Sequence, residues 1–217
     1  MIAKAKSLPE NIFETIRDRI VFGTYPPGVN LPEKELCEEF GVSRTPLREA
    51  VLKLQDMKLV TVIPRFGTHV SPVDIHEIRC AFEVKTRLEG LAGELAAERI
   101  RPETLEALKA AIAEAGKILR ENGPDRHNRL IAIEARFHRI VLNATQNPVL
   151  EEFQENLHYR CARLWSSALS DVVPNKDILE QLNGVYLALK RRDGAEARRQ
   201  MESHVQYFIE KLKNLLL

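Results

Sequence analysis

Arg44, Thr45 and Arg48 stand together in one short stretch and carry two guanidinium forks and a hydroxyl. Those groups can read base edges and grip phosphate. Farther along, Glu134 and His138 are four residues apart, so on a helix a carboxylate and an imidazole share one face. His204 is a third donor, near the end of the chain.

Such groups act only if the surrounding elements present them. Leu36, Phe40 and Val42 mark a short helix and the turn after it, and Gly41 supplies the positive φ that the turn needs. Ser43 or Thr45 is expected to cap a second helix, with Pro46 in its first turn. Leu47, Val51, Leu52 and Leu54 would bury one face of that helix and leave Arg44, Thr45 and Arg48 at its exposed start. This is helix-turn-helix spacing, whose second helix reads bases with its N-terminal residues. Leu59 to Ile63 reads as a strand, Pro64 to Gly67 as a turn, and Thr68 to Val70 as the return strand. A winged helix follows, with Arg65 and His69 flanking the tip. Leu8, Ile12, Ile16 and Ile20 predict a preceding amphipathic helix.

From Ile75 onward the pattern is helical. Ile78, Phe82, Leu88, Leu91, Leu95 and Ala96 mark the inner face of the first of these helices. Asn122-Gly123-Pro124 and Asn147-Pro148 are stops, and Arg191 to Gly194 is a turn. The last helix turns Met201, Val205, Phe208 and Leu212 inward. The expected fold is mainly α: a winged helix-turn-helix domain over 1–70, a short linker over 71–75, and an all-α bundle of about six helices over 76–217.

Net charge is +1, so overall balance does not point to nucleic acid. The distribution does: residues 43–70 hold five Lys or Arg against Glu49 and Asp56, while Glu33, Glu35, Glu38 and Glu39 precede them with Lys34 alone. No apolar run reaches the length of a membrane span, and Met1 to Lys6 leads into no apolar core of a signal peptide, so a cytoplasmic location is expected. Cys37, Cys80 and Cys161 fit no zinc or redox spacing and read as buried reduced thiols.

Leu31 to Leu36, Gly41 to Ala50 and the tip from Pro64 to Gly67 resemble the DNA-binding domain of the GntR family of bacterial regulators. The resemblance implies DNA contacts by Lys34, Ser43, Arg44, Arg48 and the wing. We expect Arg44 and Arg48 at bases, with Lys34, Ser43, Thr45 and Arg65 on phosphate and Gly67 allowing close approach. Phe82 to Glu89 with Leu95-Ala96-Ala97, Phe137-His138 with Ala144 to Leu150, and Ala188 to Asp193 resemble the effector domain of the FadR subfamily, the FCD domain. That resemblance implies a homodimer that binds operator DNA, more often as a repressor, under control of a small effector such as an organic acid or acyl compound. It also implies a pocket holding a divalent metal, zinc or nickel, at Glu134, His138 and His204. Leu182 stands at the usual fourth ligand, and Lys85 where an Arg would hold a carboxylate effector.

Other readings stand beside these. Glu134, His138 and His204 could form a hydrogen-bonded polar cluster without metal, or the centre of a metal-dependent hydrolase, for which no second carboxylate is placed as base. The winged helix could dock a protein. His76, His127 and His158 read as isolated, Tyr159 and Trp165 as core or pocket wall, and the Arg191-Arg192 and Arg198-Arg199 pairs as solvated faces.

Overall fold

The computed structural model describes residues 7–121, 123, 126–168 and 176–216. Asn122, Pro124 and the side chains of His127, Trp165 and Leu212 lie outside the described residues. The described residues form nine helices and one two-stranded sheet, divided between two compact units. Met1–Ile78 and Tyr159–Ser167 make up the first unit; Arg79–His158 and Ala168–Leu217 make up the second.

In the first unit, α1 (Leu8–Val21) opens with a capping box, in which Ser7 accepts from the Glu10 amide and Glu10 accepts from the Ser7 amide. Ile12, Phe13, Ile16, Ile20 and Val21 are buried, whereas Leu8, expected on this stripe, is 52% exposed at the first helical position. Helix α2 (Glu33–Phe40) ends at Gly41, whose φ of 64° is left-handed as the turn requires. Helix α3 (Arg44–Asp56) follows with Ser43 at its N-cap position, but the Ser43 hydroxyl makes no capping bond. Leu47, Ala50, Val51 and Leu54 face the core, and each fully buried Leu contributes about 1.5–3 kcal/mol. Leu52, expected inside, is exposed, because five residues past Leu47 it points about 140° around the helix, off the 47-50-51-54 stripe. Strands β1 (Val60–Ile63) and β2 (Gly67–Val70) pair antiparallel, with Val60 opposite Val70 and Ile63 opposite Gly67. The segment before α2 adds to this ribbon: Leu31 donates to the Thr68 carbonyl and Val70 to the Val29 carbonyl. Tyr159 joins this core, with the Arg17 guanidinium 4.4 Å from its ring centre.

The second unit is helical. Helix α4 (Ile75–Arg99) begins where the Asp74 carboxylate accepts the His76 and Glu77 amides. Then come α5 (Pro102–Ile118), α6 (Arg126–Ala144), α7 (Pro148–Ala168, of which Tyr159–Ser167 belongs to the first unit), α8 (Lys176–Lys190) and α9 (Gly194–Leu216). Leu108, Phe137, Val141, Leu182, Val185, Leu189 and Met201 are buried in one core. Helices α4 and α9 approach closely at Gly93, where an added Cβ would lie 2.7 Å from the Ala197 carbonyl oxygen. Two expectations hold only in part. The inner face of α4 holds Ile78, Phe82 and Ala96 as expected, together with Lys85, Thr86, Glu89, Ala92 and Ala97, while Leu91 is exposed and Leu88 and Leu95 are only half-buried. And Arg192, exposed at a helix end as expected, is also engaged: its guanidinium donates to the Glu98 and Ile100 carbonyls at 2.7 and 2.8 Å and satisfies the C-terminal end of α4. Arg198 is likewise engaged, with Glu94 and Glu202. Of the cysteines only Cys161 is buried; Cys37 is half-buried and Cys80 exposed.

Candidate DNA-reading surface and effector centre

Ser43, Arg44, Thr45 and Arg48 are all exposed at the start of α3. They are held there because Gly41 turns the chain sharply and the 47-50-51-54 stripe anchors the helix behind them. The first-turn amides of α3 lack side-chain acceptors, so this helix end presents N–H donors and a partial positive charge to an incoming phosphate. Arg48 has a partner: its Nε and Nη2 each lie 3.1 Å from the two carboxylate oxygens of Glu33. That bond raises the Arg48 pKa further, so the fork stays charged. Glu33 uses one edge of the guanidinium and leaves Nη1 directed elsewhere. Lys34 is exposed, 3.9 Å from Glu38. Arg65 sits at the wing tip with a left-handed φ of 69°, and Gly67 follows with φ 100°; both are exposed, as is Phe66. His69, which flanks the tip, is half-buried in the ribbon opposite Thr61.

In the second unit α6 and α9 bring Glu134, His138 and His204 together, with one potential ligand atom of each within 4.8 Å of the others. His204 Nε2 is 3.1 Å from Glu134 Oε1, and the two imidazoles stack with centroids 5.2 Å apart. Three neighbours were not foreseen. Glu89, on the buried face of α4, accepts from His138 Nδ1 at 3.0 Å and pairs through its other oxygen with Lys85. Gln181, on α8, places Oε1 2.8 Å from His204 Nδ1. His158, read as isolated, lies in the field of Lys85, and burial with that charge pushes its imidazole down to about 3. The i, i+4 spacing of Lys85 and Glu89 was a readable signal for one pair; nothing in the chain pointed to Gln181.

Charge explains why this polar set is tolerated inside. Burial alone would raise the Glu89 carboxyl, but His138 and Lys85 outweigh it and hold the group well below the usual carboxylate range. Glu134 follows the same logic: burial opposes its ionised form, and the hydrogen bond and charge of His204 prevail. Lys85 is 6% exposed and committed to Glu89, so the ammonium is already neutralised from within. Leu182, matched by sequence to a fourth ligand, is 1% exposed and packs in the apolar core; its neighbour Gln181 meets the His204 imidazole instead.

A carboxylate oxygen and two imidazole nitrogens form a donor set for a small divalent cation of the zinc or nickel type. The fit is supported by the ring nitrogens: each Nδ1 is already taken by an oxygen acceptor, so each Nε2 remains for a metal. A separate cleft of about 240 Å³ opens beside Arg99, Thr104, Ile140, Asn143 and Gln146, and none of these belongs to the cluster.

Comparison with known proteins agrees with both halves. The family described as "Bacterial regulatory proteins, gntR family" matches residues 8–70, and the FCD domain matches residues 80–207. The chain is 32% identical over 197 residues to the "Uncharacterized HTH-type transcriptional regulator YieP" of Escherichia coli, covering 82% of this chain and 84% of that protein. It is 25% identical to the "HTH-type transcriptional repressor RspR" of Escherichia coli, over 95% of this chain and 89% of that protein. Among solved structures, E. coli McbR/YncC superposes with a TM-score of 0.86 at 23% identity, covering 98% of this chain and 100% of that one, and so shares the fold. A helix-turn-helix with a wing, followed by a helical domain with a polar centre, therefore places the chain in the GntR family of bacterial regulators with an FCD domain, as a DNA-binding transcriptional regulator with an effector domain.

Proposed function

We propose that residues 1–70 read operator DNA, that 71–75 connect, and that 76–217 bind the effector and a second copy of the chain. The observation that carries the reading assignment is the exposed start of α3, where Ser43, Arg44, Thr45 and Arg48 stand together with uncapped helix amides. Arg44 and Arg48 contact bases in the wide groove, while Lys34, Ser43, Thr45 and Arg65 hold phosphate and Gly67 brings the wing backbone close. One winged helix covers only a few base pairs, so two copies related by a twofold axis read a palindrome. Repression is the favoured sign of regulation, because RspR is named a repressor. The test is selection of duplexes from a random pool, followed by titration. Arg44→Ala and Arg48→Ala should each weaken the selected duplex by roughly ten- to a hundredfold and leave random DNA nearly unaffected. Unchanged affinity in both variants would remove the reading-helix assignment.

The effector centre is proposed to hold zinc or nickel through Glu134, His138 and His204. With neutral imidazoles a divalent metal would leave Lys85, Glu89, Glu134 and the ion one charge too positive, which favours an anionic effector such as an organic acid in the open part of the shell. The chain acts by binding rather than by turnover: Glu89, a second carboxylate near the metal position, has both oxygens engaged and is not free to serve as a base. The described helices include none long and apolar enough to cross a membrane, in keeping with a cytoplasmic regulator.

A further inference from the structure

We propose that Glu89 and Gln181 are positioning residues for the metal centre, each holding one imidazole by its Nδ1 so that both Nε2 atoms turn toward Glu134. The inference rests on the metal reading above and adds residues that are not ligands themselves.

The argument begins with imidazole chemistry. A neutral ring offers one N–H and one lone pair, and only the lone pair can bind a cation. A ring free to choose would spend part of its population in the wrong tautomer or the wrong flip. Here both rings meet an oxygen acceptor at Nδ1: Glu89 Oε2 at 3.0 Å from His138 and Gln181 Oε1 at 2.8 Å from His204. An ionised carboxylate only accepts, so His138 Nδ1 must donate and its lone pair falls on Nε2. His204 Nε2 lies 3.1 Å from Glu134 Oε1, so Nε2 is the nitrogen of this ring that faces the donor set. A metal bound there would take the Nε2 lone pair while Nδ1 keeps its proton on Gln181 Oε1.

The supports are themselves fixed. Glu89 is 4% exposed and its second oxygen is held by Lys85 one turn earlier on α4. The stacked rings, 29° from parallel, limit each other's rotation. Four helices thus converge on three ligand atoms: α6 and α9 supply the donors, α4 and α8 the orienting oxygens. The donors lie within 4.8 Å of one another, whereas a tetrahedral zinc with bonds near 2.1 Å needs them roughly 3.4 Å apart. Small side-chain rotations close that gap without changing which nitrogen faces inward. The two supports are unequal. A carboxylate acceptor makes its imidazole the more basic ligand, so Glu89 should matter more than Gln181.

The experiment measures zinc affinity by competition with a chromophoric chelator, and the cobalt(II) absorption spectrum, on the full-length protein. Glu89→Gln alone would leave the buried Lys85 unpaired, so it is made together with Lys85→Met; Gln181→Leu is the second variant and Gln181→Glu its conservative counterpart. The expected result is a loss of about ten- to a hundredfold in zinc affinity for Gln181→Leu and for the double variant. A changed cobalt spectrum, near wild-type affinity in Gln181→Glu, and an unchanged circular dichroism spectrum in chelator complete the expectation. Wild-type zinc affinity in both folded variants would overturn the positioning role while leaving the metal site in place. Failure of the wild-type protein to take up zinc, nickel or cobalt would overturn the metal reading and this inference with it.

Discussion

Two side chains at the residue scale do something other than their type suggests. Arg48 is exposed and positively charged, yet in the free protein it is gripped by Glu33 through two parallel hydrogen bonds. At an exposed site such a pair is readily broken or shared, because water and salt compete with it. Glu33 occupies Nε and one face of Nη2, which leaves the Nη1 side able to meet a base edge. Glu33 is then a brace that selects one orientation of the fork, and on the proposed reading it also holds negative charge beside the DNA. Replacing Glu33 with Gln should therefore lower the affinity ratio of selected to random duplex several-fold, while affinity for random DNA rises. A ratio equal to that of the wild type would show that the brace is irrelevant to reading. Lys85 is the second case. Expected at an effector carboxylate, it instead sits buried against Glu89, so any acid entering the centre must compete with an internal carboxylate for that ammonium.

At the scale of elements, α4 shows how hydrophobicity alone can misplace a face. The Leu-rich side at 88, 91 and 95 is partly solvated, and beyond Phe82 the inward side is lined by alanines, glycines, Thr86 and an ion pair. Small residues are selected there by close approach to α9, and the ion pair by its partners on α6 and α7. Both causes lie outside α4 itself and leave no period in its sequence. The two glycines on this contact separate the effects. An added Cβ at Gly93 would meet the Ala197 carbonyl at 2.7 Å, an immovable backbone atom, whereas at Gly90 it would meet only the flexible Glu202 side chain. Gly93→Ala is expected to cost about 1–3 kcal/mol and lower Tm by several degrees, and Gly90→Ala to cost clearly less despite the same gain in helix propensity. Equal Tm values for the two variants in thermal unfolding would contradict this packing of α4 on α9.

The whole molecule is proposed to work as a pair. Phosphate contacts from two winged helices should make operator binding steeply dependent on salt, weakening by about a thousandfold or more between 50 and 200 mM if some six to ten phosphates are neutralised. Native mass spectrometry should show two chains per selected duplex; one chain per duplex, or affinity indifferent to salt, would count against the paired reader. The sequence by itself determined the local architecture, because those features are written in neighbouring residues. Gly41 needs a left-handed turn, the 47-50-51-54 spacing makes a helix with one apolar side, and Pro64 to Gly67 closes a hairpin. It also brought Glu134 and His138 to one face, since four residues are one helical turn. Only the tertiary structure decided which side chains complete the polar centre. Glu89, Gln181 and His204 are far apart along the chain, and their meeting depends on how separate helices pack. Burial then fixed their charges, because a carboxylate taken out of water stays ionised only where its partners are already waiting.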